Sequence, residues 1–244
     1  MRLFGLIGYP LGHSFSKKYF TRKFEEEQIP DSAYELFEIS SIDQLPDILR
    51  QHPNLRGLNV TVPYKQAVMP FLDHIDPAAA RIGAVNTILL ADGRRTGYNS
   101  DYIGFLQSLQ AFYPLSERSA ALVLGTGGAA KAVVAALEYL AVPYRLVSRH
   151  GIAGGFRYPD LTPDLVAQFP LIINTTPLGM HPRTEECPDL PYDALTNRHY
   201  LYDLVYNPAE TTFLKKGAAA GAQVKNGYDM LVLQAEESWR IWNS

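Results

Sequence analysis

The sequence predicts an α/β protein built from two regions of different character. Three observations carry this. Of 244 residues, 47% are hydrophobic and 19% charged, ordinary for a globular chain and enough to bury a sizeable core. Before residue 101, short apolar runs of strand length alternate irregularly with helical patterns. After it, strand, turn and helix follow one another in the regular alternation that makes parallel β-α units.

Taken in order, residues 3–7 read as a buried strand closed by Gly8 and Pro10, too short and broken for a signal peptide. Residues 16–27 carry Tyr19, Phe20 and Phe24 at helical spacing, and 34–39 read as a second strand. Ser40 or Ser41 offers a cap for a helix with Leu45, Ile48 and Leu49 on one face. Residues 57–62 alternate as a third strand up to Pro63, and 65–72 read as a short helix interrupted by Pro70. Residues 85–90 and 94–98 flank Ala91-Asp92-Gly93, a hairpin signal. A helix over 102–112, a polar link at 116–119 and a buried strand at 120–124 follow. The spacing then predicts helices at 129–140, 161–168 (short), 209–220 and 227–242, with strands at 144–147, 171–174 and 200–205.

Composition narrows the function classes. A net charge of −3 gives no reason to expect nucleic acid or an acidic membrane as partner. No apolar run approaches the ~20 residues of a membrane span. Cys187 is the one cysteine, so no internal disulfide can form, which suits a reducing, cytoplasmic setting. The six histidines show no metal-ligand spacing, and no metal is expected.

Gly125-Thr126-Gly127-Gly128-Ala129-Ala130 fits G-x-G-x-x-A between a predicted strand and a predicted helix. Glycines let the backbone turn sharply and approach a pyrophosphate, and the helix N-terminus supplies unpaired N–H groups. The second region therefore reads as a Rossmann-like dinucleotide-binding unit; the plainer alternative is a turn that only joins strand to helix. The next strand ends at Ser148-Arg149-His150, where an NAD site usually carries an acid. The Arg149 guanidinium suits a 2′-phosphate instead, which favours NADP over NAD.

Several polar residues sit on apolar scaffolds. Asn59 and Thr61 share one face of the third strand, and Lys65 follows just past its end. A loop lysine is ordinarily solvated, yet this position can present an amine to a ligand. Asp101 can cap its helix or take part in catalysis. Asn86 lies in an apolar strand and must find a partner there. Ser14 and Ser16 flank Phe15 before the first helix, where they can cap it or hold a carboxylate. Gln234, among Met230, Leu231, Val232, Leu233 and Ala235, is either a satisfied core residue or a ligand contact.

In this order, the pieces resemble the shikimate dehydrogenase family. Gly12-His13-Ser14-Phe15-Ser16 is similar to its substrate-carboxylate motif, Asn59-Val60-Thr61-Val62-Pro63-Tyr64-Lys65 to its N-V-T-x-P-x-K signature, and Ala84-Val85-Asn86-Thr87 to its A-V-N-T segment. Gly97 to Gly104, the glycine turn, Asn174 to Met180, Asp203 to Pro208 and Gly227 to Ala235 continue the resemblance over nearly the whole chain. It implies a substrate-binding catalytic domain at 1–101 plus 227–244, to which the last helix returns, and an NADP-binding domain at 102–226. It implies that Lys65 and Asp101 are the catalytic pair and that Ser14 and Ser16 hold the substrate carboxylate. Thr61, Asn86, Asp101, Tyr206 and Gln234 would contact the hydroxyls or ring. Gly125, Thr126, Gly127, Gly128, Ala129, Ser148, Arg149, Thr175, Leu204 and Gly227 would line the NADP site.

Three features depart from the family pattern. Ser100 stands for the usual Thr, Ser148-Arg149-His150 for Asn-Arg-Thr, and Gly154-Gly155 lie where a second arginine is common. The expected reaction is reversible, NADP(H)-dependent reduction of 3-dehydroshikimate to shikimate, by a monomer or homodimer whose partner is the small-molecule substrate. The alternatives are a quinate/shikimate dehydrogenase using NAD and, in a different class, a non-catalytic dinucleotide-binding regulatory module.

Overall fold

The computed structural model describes residues 1–12, 14–115 and 120–244. His13 and the predicted link at 116–119 lie outside the described residues. The chain divides into two compact units, Met1–Ser100 with Ala235–Ser244, and Asp101–Gln234.

The first unit is a six-stranded mixed sheet with the order β2-β1-β3-β5-β6-β4. Its strands are β1 (Arg2–Gly8), β2 (Ser32–Glu38), β3 (Leu55–Val60), β4 (His74–Ile75), β5 (Thr87–Ala91) and β6 (Arg94–Tyr98). β1 pairs parallel with β2 and β3, β5 runs antiparallel to both β3 and β6, and β4 is parallel to β6. Alternation along β1 sends Leu3 and Ile7 to one core, with Leu58, Val60 and Ile88, and Phe4 and Leu6 to the other.

The second core holds Phe20 and Phe24 from α1 (Phe15–Glu26) and Ile241 and Trp242 from the end of α8 (Tyr228–Trp242). Gly57 is what admits that helix end. A Cβ on it would lie 2.2 Å from Trp242 Nε1, which instead donates to the Ile88 carbonyl at 3.0 Å. The 91–93 hairpin forms as expected, with Asp92 and Gly93 both at positive φ, the backbone that a two-residue turn between twisted strands requires.

The second unit is a wholly parallel sheet, β12-β11-β10-β7-β8-β9. The strands are β7 (Ala121–Leu124), β8 (Tyr144–Ser148), β9 (Phe156–Arg157), β10 (Leu171–Asn174), β11 (Tyr200–Asp203) and β12 (Gln223–Lys225). Renumbered within the unit this is 6-5-4-1-2-3, the doubly wound dinucleotide-binding order, with its switch point between β7 and β10. The helices are α4 (Ser100–Phe112), α5 (Gly128–Tyr139), the short α6 (Pro163–Val166), α7 (Thr212–Ala219) and the first part of α8. The two unit boundaries thus fall inside helices, at residues 100/101 of α4 and 234/235 of α8.

Several expectations need correction. The helix expected at 65–72 is a series of turns with one 3₁₀ turn at Met69–Phe71. Pro70 has no N–H to continue an α-helical ladder, and Met69 N bonds back three residues to the Gln66 carbonyl. Asp101 is not an N-cap: α4 begins at Ser100 and places Asp101 inside its first turn. Helix α2 (Leu45–Gln51) is entered through a 3₁₀ turn, which Ser41 caps reciprocally with Gln44. Helix α3 (Pro77–Ile82) and the short strands β4, β9 and β12 were not foreseen.

Candidate active site

In the first unit the site grows from the end of β3. Tyr64 is buried and donates to the Ile39 carbonyl at 2.6 Å, which pins the loop after the strand. The Lys65 carbonyl accepts from Val85 N at 2.7 Å, so the lysine leaves the loop beside the segment that carries Asn86. The Lys65 side chain is half-buried. Thr61, next after β3, bonds through its N–H to the Ile7 carbonyl at 2.9 Å. A Cβ on Gly8 would lie 2.4 Å from the Thr61 methyl, so a glycine there keeps room for the threonine.

The buried polar residues of this unit satisfy one another. Asn86 is 3% exposed; its carbonyl oxygen accepts from Ser100 N at 2.6 Å and its amide donates to Ser100 Oγ at 3.0 Å. Asn59, 5% exposed, donates to Ser238 Oγ at 2.9 Å and accepts from the Tyr34 hydroxyl at 2.8 Å. Tyr34 also shares a hydrogen bond with Ser16, and burial pushes its pKa up, so the phenol keeps its proton. Ser14 accepts from Lys17 N at 3.3 Å as the N-cap of α1, and the same hydroxyl keeps its O–H to donate, so capping and holding a carboxylate are compatible.

In the second unit the dinucleotide motif lies at the switch point. Gly125, straight after β7, has φ +108, and a Cβ there would lie 2.8 Å from Thr175 Oγ1. Thr175 follows β10 and donates its hydroxyl to the Leu124 carbonyl at 2.7 Å, which joins the ends of the two strands. Thr126, Gly127, Gly128 and Ala129 are exposed, and added Cβ atoms at Gly127 and Gly128 would meet nothing within 4 Å. Gly127 is the N-cap of α5 and has no side chain to bond the helix's first N–H groups. An open glycine turn and a twelve-residue helix whose cap is a glycine fit a pyrophosphate.

The end of β8 fits the other half of such a cofactor. Ser148 Oγ is buried with no hydrogen-bond partner among the described residues, a hydroxyl left for a ligand. Arg149 and His150 are exposed. Strand β9 adds a cation that sequence reading missed: Arg157 registers beside Ser148, and Asp160 grips its guanidinium through two bonds at 3.0 and 3.3 Å. Two residues are too short a strand to leave a periodicity, so no pattern marked it. Leu204 and Gly227 are brought together. A Cβ on Gly227 would lie 2.2 Å from the Leu204 carbonyl oxygen, so only glycine admits this approach.

Behind the switch point, Asp203 is fully buried. Loss of hydration raises its pKa to about 6, against the opposing effect of hydrogen bonds from Thr211, Val205 N and Asn174. Asn174 in turn accepts from Thr176 N at 3.0 Å and Thr176 Oγ1 at 2.6 Å, so this buried carboxyl anchors the loop that carries Thr175. Tyr206 is 37% exposed. Gln234 is 8% exposed and donates to the Leu231 carbonyl at 3.0 Å. Among the described residues no group of three or more His, Cys, Asp or Glu is placed to hold a metal, and no helix is long and apolar enough to cross a membrane.

Known proteins resemble this chain over nearly its whole length. A family profile described as the shikimate dehydrogenase substrate binding domain matches residues 6–88. A protein of Clostridium beijerinckii named shikimate dehydrogenase (NADP(+)) is 40% identical over 252 residues, covering 99% of this chain and 92% of its own length. One of the same name from Oleidesulfovibrio alaskensis is 42% identical over 256 residues, covering 99% and 89%. The crystal structure of shikimate 5-dehydrogenase from Thermus thermophilus in complex with NADP(H) and shikimate superposes with a TM-score of 0.86 at 32% identity, over 99% of this chain and 93% of that one. With identity of this order running from end to end, the chain belongs to the shikimate dehydrogenase family.

Proposed function

We propose that this chain is an NADP-dependent shikimate dehydrogenase, reducing 3-dehydroshikimate reversibly to shikimate within aromatic amino-acid biosynthesis. The observation that carries this is the 40% identity, over 99% of the chain, to a relative of that name. We assign the enzyme to the cytoplasm, where a chain with one cysteine has no disulfide to lose.

Bound NADP(H) supplies or accepts the hydride. The chain's own residues bind, orient and move the proton. Ser14 and Ser16 hold the substrate carboxylate near the start of α1. Thr61, Asn86, Tyr206 and Gln234 fix the hydroxyls and ring. Lys65 and Asp101 serve the hydroxyl whose carbon is oxidised, one of them taking its proton as the hydride leaves and returning it in the reverse direction. A positioned acid–base group of this kind contributes about 10²–10⁴-fold. Residues Gly125 to Ala129 hold the pyrophosphate against the start of α5, with Thr175, Leu204 and Gly227 completing the wall. Ser148 and Arg149, with Arg157 one strand over, receive the 2′-phosphate.

The test is absorbance at the reduced-nicotinamide band with shikimate or quinate and with NADP or NAD. Shikimate with NADP is expected to give the highest kcat/KM. A higher value for quinate with NAD would hand the assignment to the quinate reading, and no turnover with any pair would leave a non-catalytic module.

A further inference from the structure

Ser238 has no part in the reaction set out above, yet its hydroxyl stands at the centre of the first unit's polar network. It is fully buried on α8. Its Oγ lies 2.9 Å from Thr87 Oγ1 and 3.0 Å from Ser100 Oγ, and those two lie 3.0 Å from each other. Three hydroxyls thus close a triangle inside an apolar unit, where each is costly unless fully bonded.

The triangle is one link in a longer chain. On one side Asn59 donates into Ser238 at 2.9 Å, accepts from Tyr34 at 2.8 Å, and Tyr34 bonds Ser16. On the other side Ser100 is locked twice to Asn86, through its N–H at 2.6 Å and its hydroxyl at 3.0 Å. The line runs Ser16, Tyr34, Asn59, Ser238, Ser100, Asn86 without a gap. Ser100 is also the first residue of α4, one peptide bond before Asp101. A small change at Ser238 therefore reaches the Asn86 side chain and the start of the helix that carries Asp101.

We propose that Ser238 is a positioning residue for the reaction, holding Ser100 and Asn86, and through Ser100 the first turn of α4, in the reactive arrangement. The proposal rests on the roles given above to Asn86 and Asp101. Ser238 touches no substrate atom in this scheme. Its loss should therefore slow the chemical step more than it weakens binding.

The experiment uses the full chain as wild type, Ser238→Ala, Ser238→Cys, Ser100→Ala and the Ser100→Ala/Ser238→Ala pair. Steady-state kinetics are read with shikimate and NADP below each variant's unfolding transition. Ser238→Ala is expected to lower kcat about tenfold, in keeping with what a sub-ångström misplacement does to a reacting geometry, with KM for shikimate changed less than about threefold. Ser238→Cys fills the same space but bonds weakly, and should show most of the same loss even if the alanine variant folds poorly. The pair should be no slower than Ser100→Ala alone, because both act along one path. A cysteine variant with wild-type kcat, or additive losses in the pair, would overturn the positioning role and leave Ser238 a packing residue. An inactive wild type would instead overturn the proposed reaction, and the positioning role with it, so the two failures are told apart by the first measurement.

Discussion

The two units build their candidate sites in opposite ways. In the mixed-sheet unit, side chains do the work, and the buried polar groups described above match one another: Asn59 with Tyr34 and Ser238, Asn86 with Ser100. In the parallel-sheet unit, the backbone does it, through a glycine turn, a helix N-terminus whose cap is a glycine and a glycine pressed on a carbonyl, while Ser148 Oγ stays unmatched among the described residues. The first arrangement is complete before any ligand arrives and suits precise placement of reacting groups. The second is finished by its ligand and suits a cofactor that comes and goes. On the proposed function, changes in the first unit should move kcat, and changes in the second should move cofactor affinity.

The largest expected effect breaks the first side of that contrast. Lys65→Ala should cut kcat by about 10²–10⁴-fold while the KM for shikimate and for NADP change little, as expected when an interaction made mainly in the transition state is removed. Near-normal turnover in that variant would remove the lysine from the chemistry.

A smaller effect tests the second side through pH. The folded-state pKa of Asp203 is raised to about 6 from 3.8. The fold therefore favours its protonated form. That contribution is whole below pH ~4 and is lost as pH rises through about 6, a swing of roughly 3 kcal/mol. Asp203→Asn keeps the bonding pattern: an amide oxygen can accept from Asn174 and Val205 N where Oδ1 does, and the amide N–H₂ can donate to Thr211, whose hydroxyl now meets Oδ2 at 2.6 Å. Urea unfolding between pH 4 and 7 should show wild-type stability falling relative to the variant across that window. Parallel curves would mean the carboxyl titrates normally.

The same contrast explains what could be read from the sequence. The parallel unit was legible because its function is written in local patterns: G-x-G-x-x-A after an apolar run needs no distant partner to be recognised. Its missing strands, β9 and β12, are two and three residues long, too short for any periodicity. Helix α3 was within reach. Asp76 bonds Ala78 N and Ala79 N, Pro77 opens the helix, and Gly83 closes it at φ +68, all of which are stop and start signals present in the sequence. The polar network of the mixed unit was not legible as a network. Asn59 and Asn86 were visible as polar residues on apolar strands, but their link through Ser238 spans 179 positions of sequence. No local rule singles out one serine near the end of an amphipathic helix. The helix expected at 65–72 failed for a related reason: its residues are held by tertiary bonds such as Val85 N to the Lys65 carbonyl, which spacing alone does not show.

The smallest effect is the one that separates the two designs most cleanly. A buried hydroxyl with no partner is a local liability of about 1–3 kcal/mol, part of which the fold recovers when the hydroxyl is deleted. Ser148→Ala should therefore leave the cofactor-free protein as stable as wild type or more stable by about 1 kcal/mol. Its affinity for NADP should fall, with a smaller loss for NAD, because the hydroxyl is assigned to the end of the site that receives the 2′-phosphate. Deleting a hydroxyl from the matched network has the opposite sign. Ser238→Ala leaves the Asn59 amide short of its 2.9 Å acceptor and should lower the unfolding temperature. Calorimetric unfolding of both variants without cofactor, followed by titration of NADP and NAD into the Ser148 variant, reads both predictions. If Ser148→Ala loses stability as Ser238→Ala does, its hydroxyl is a structural partner after all, and the division between a site complete in itself and a site completed by its cofactor does not hold.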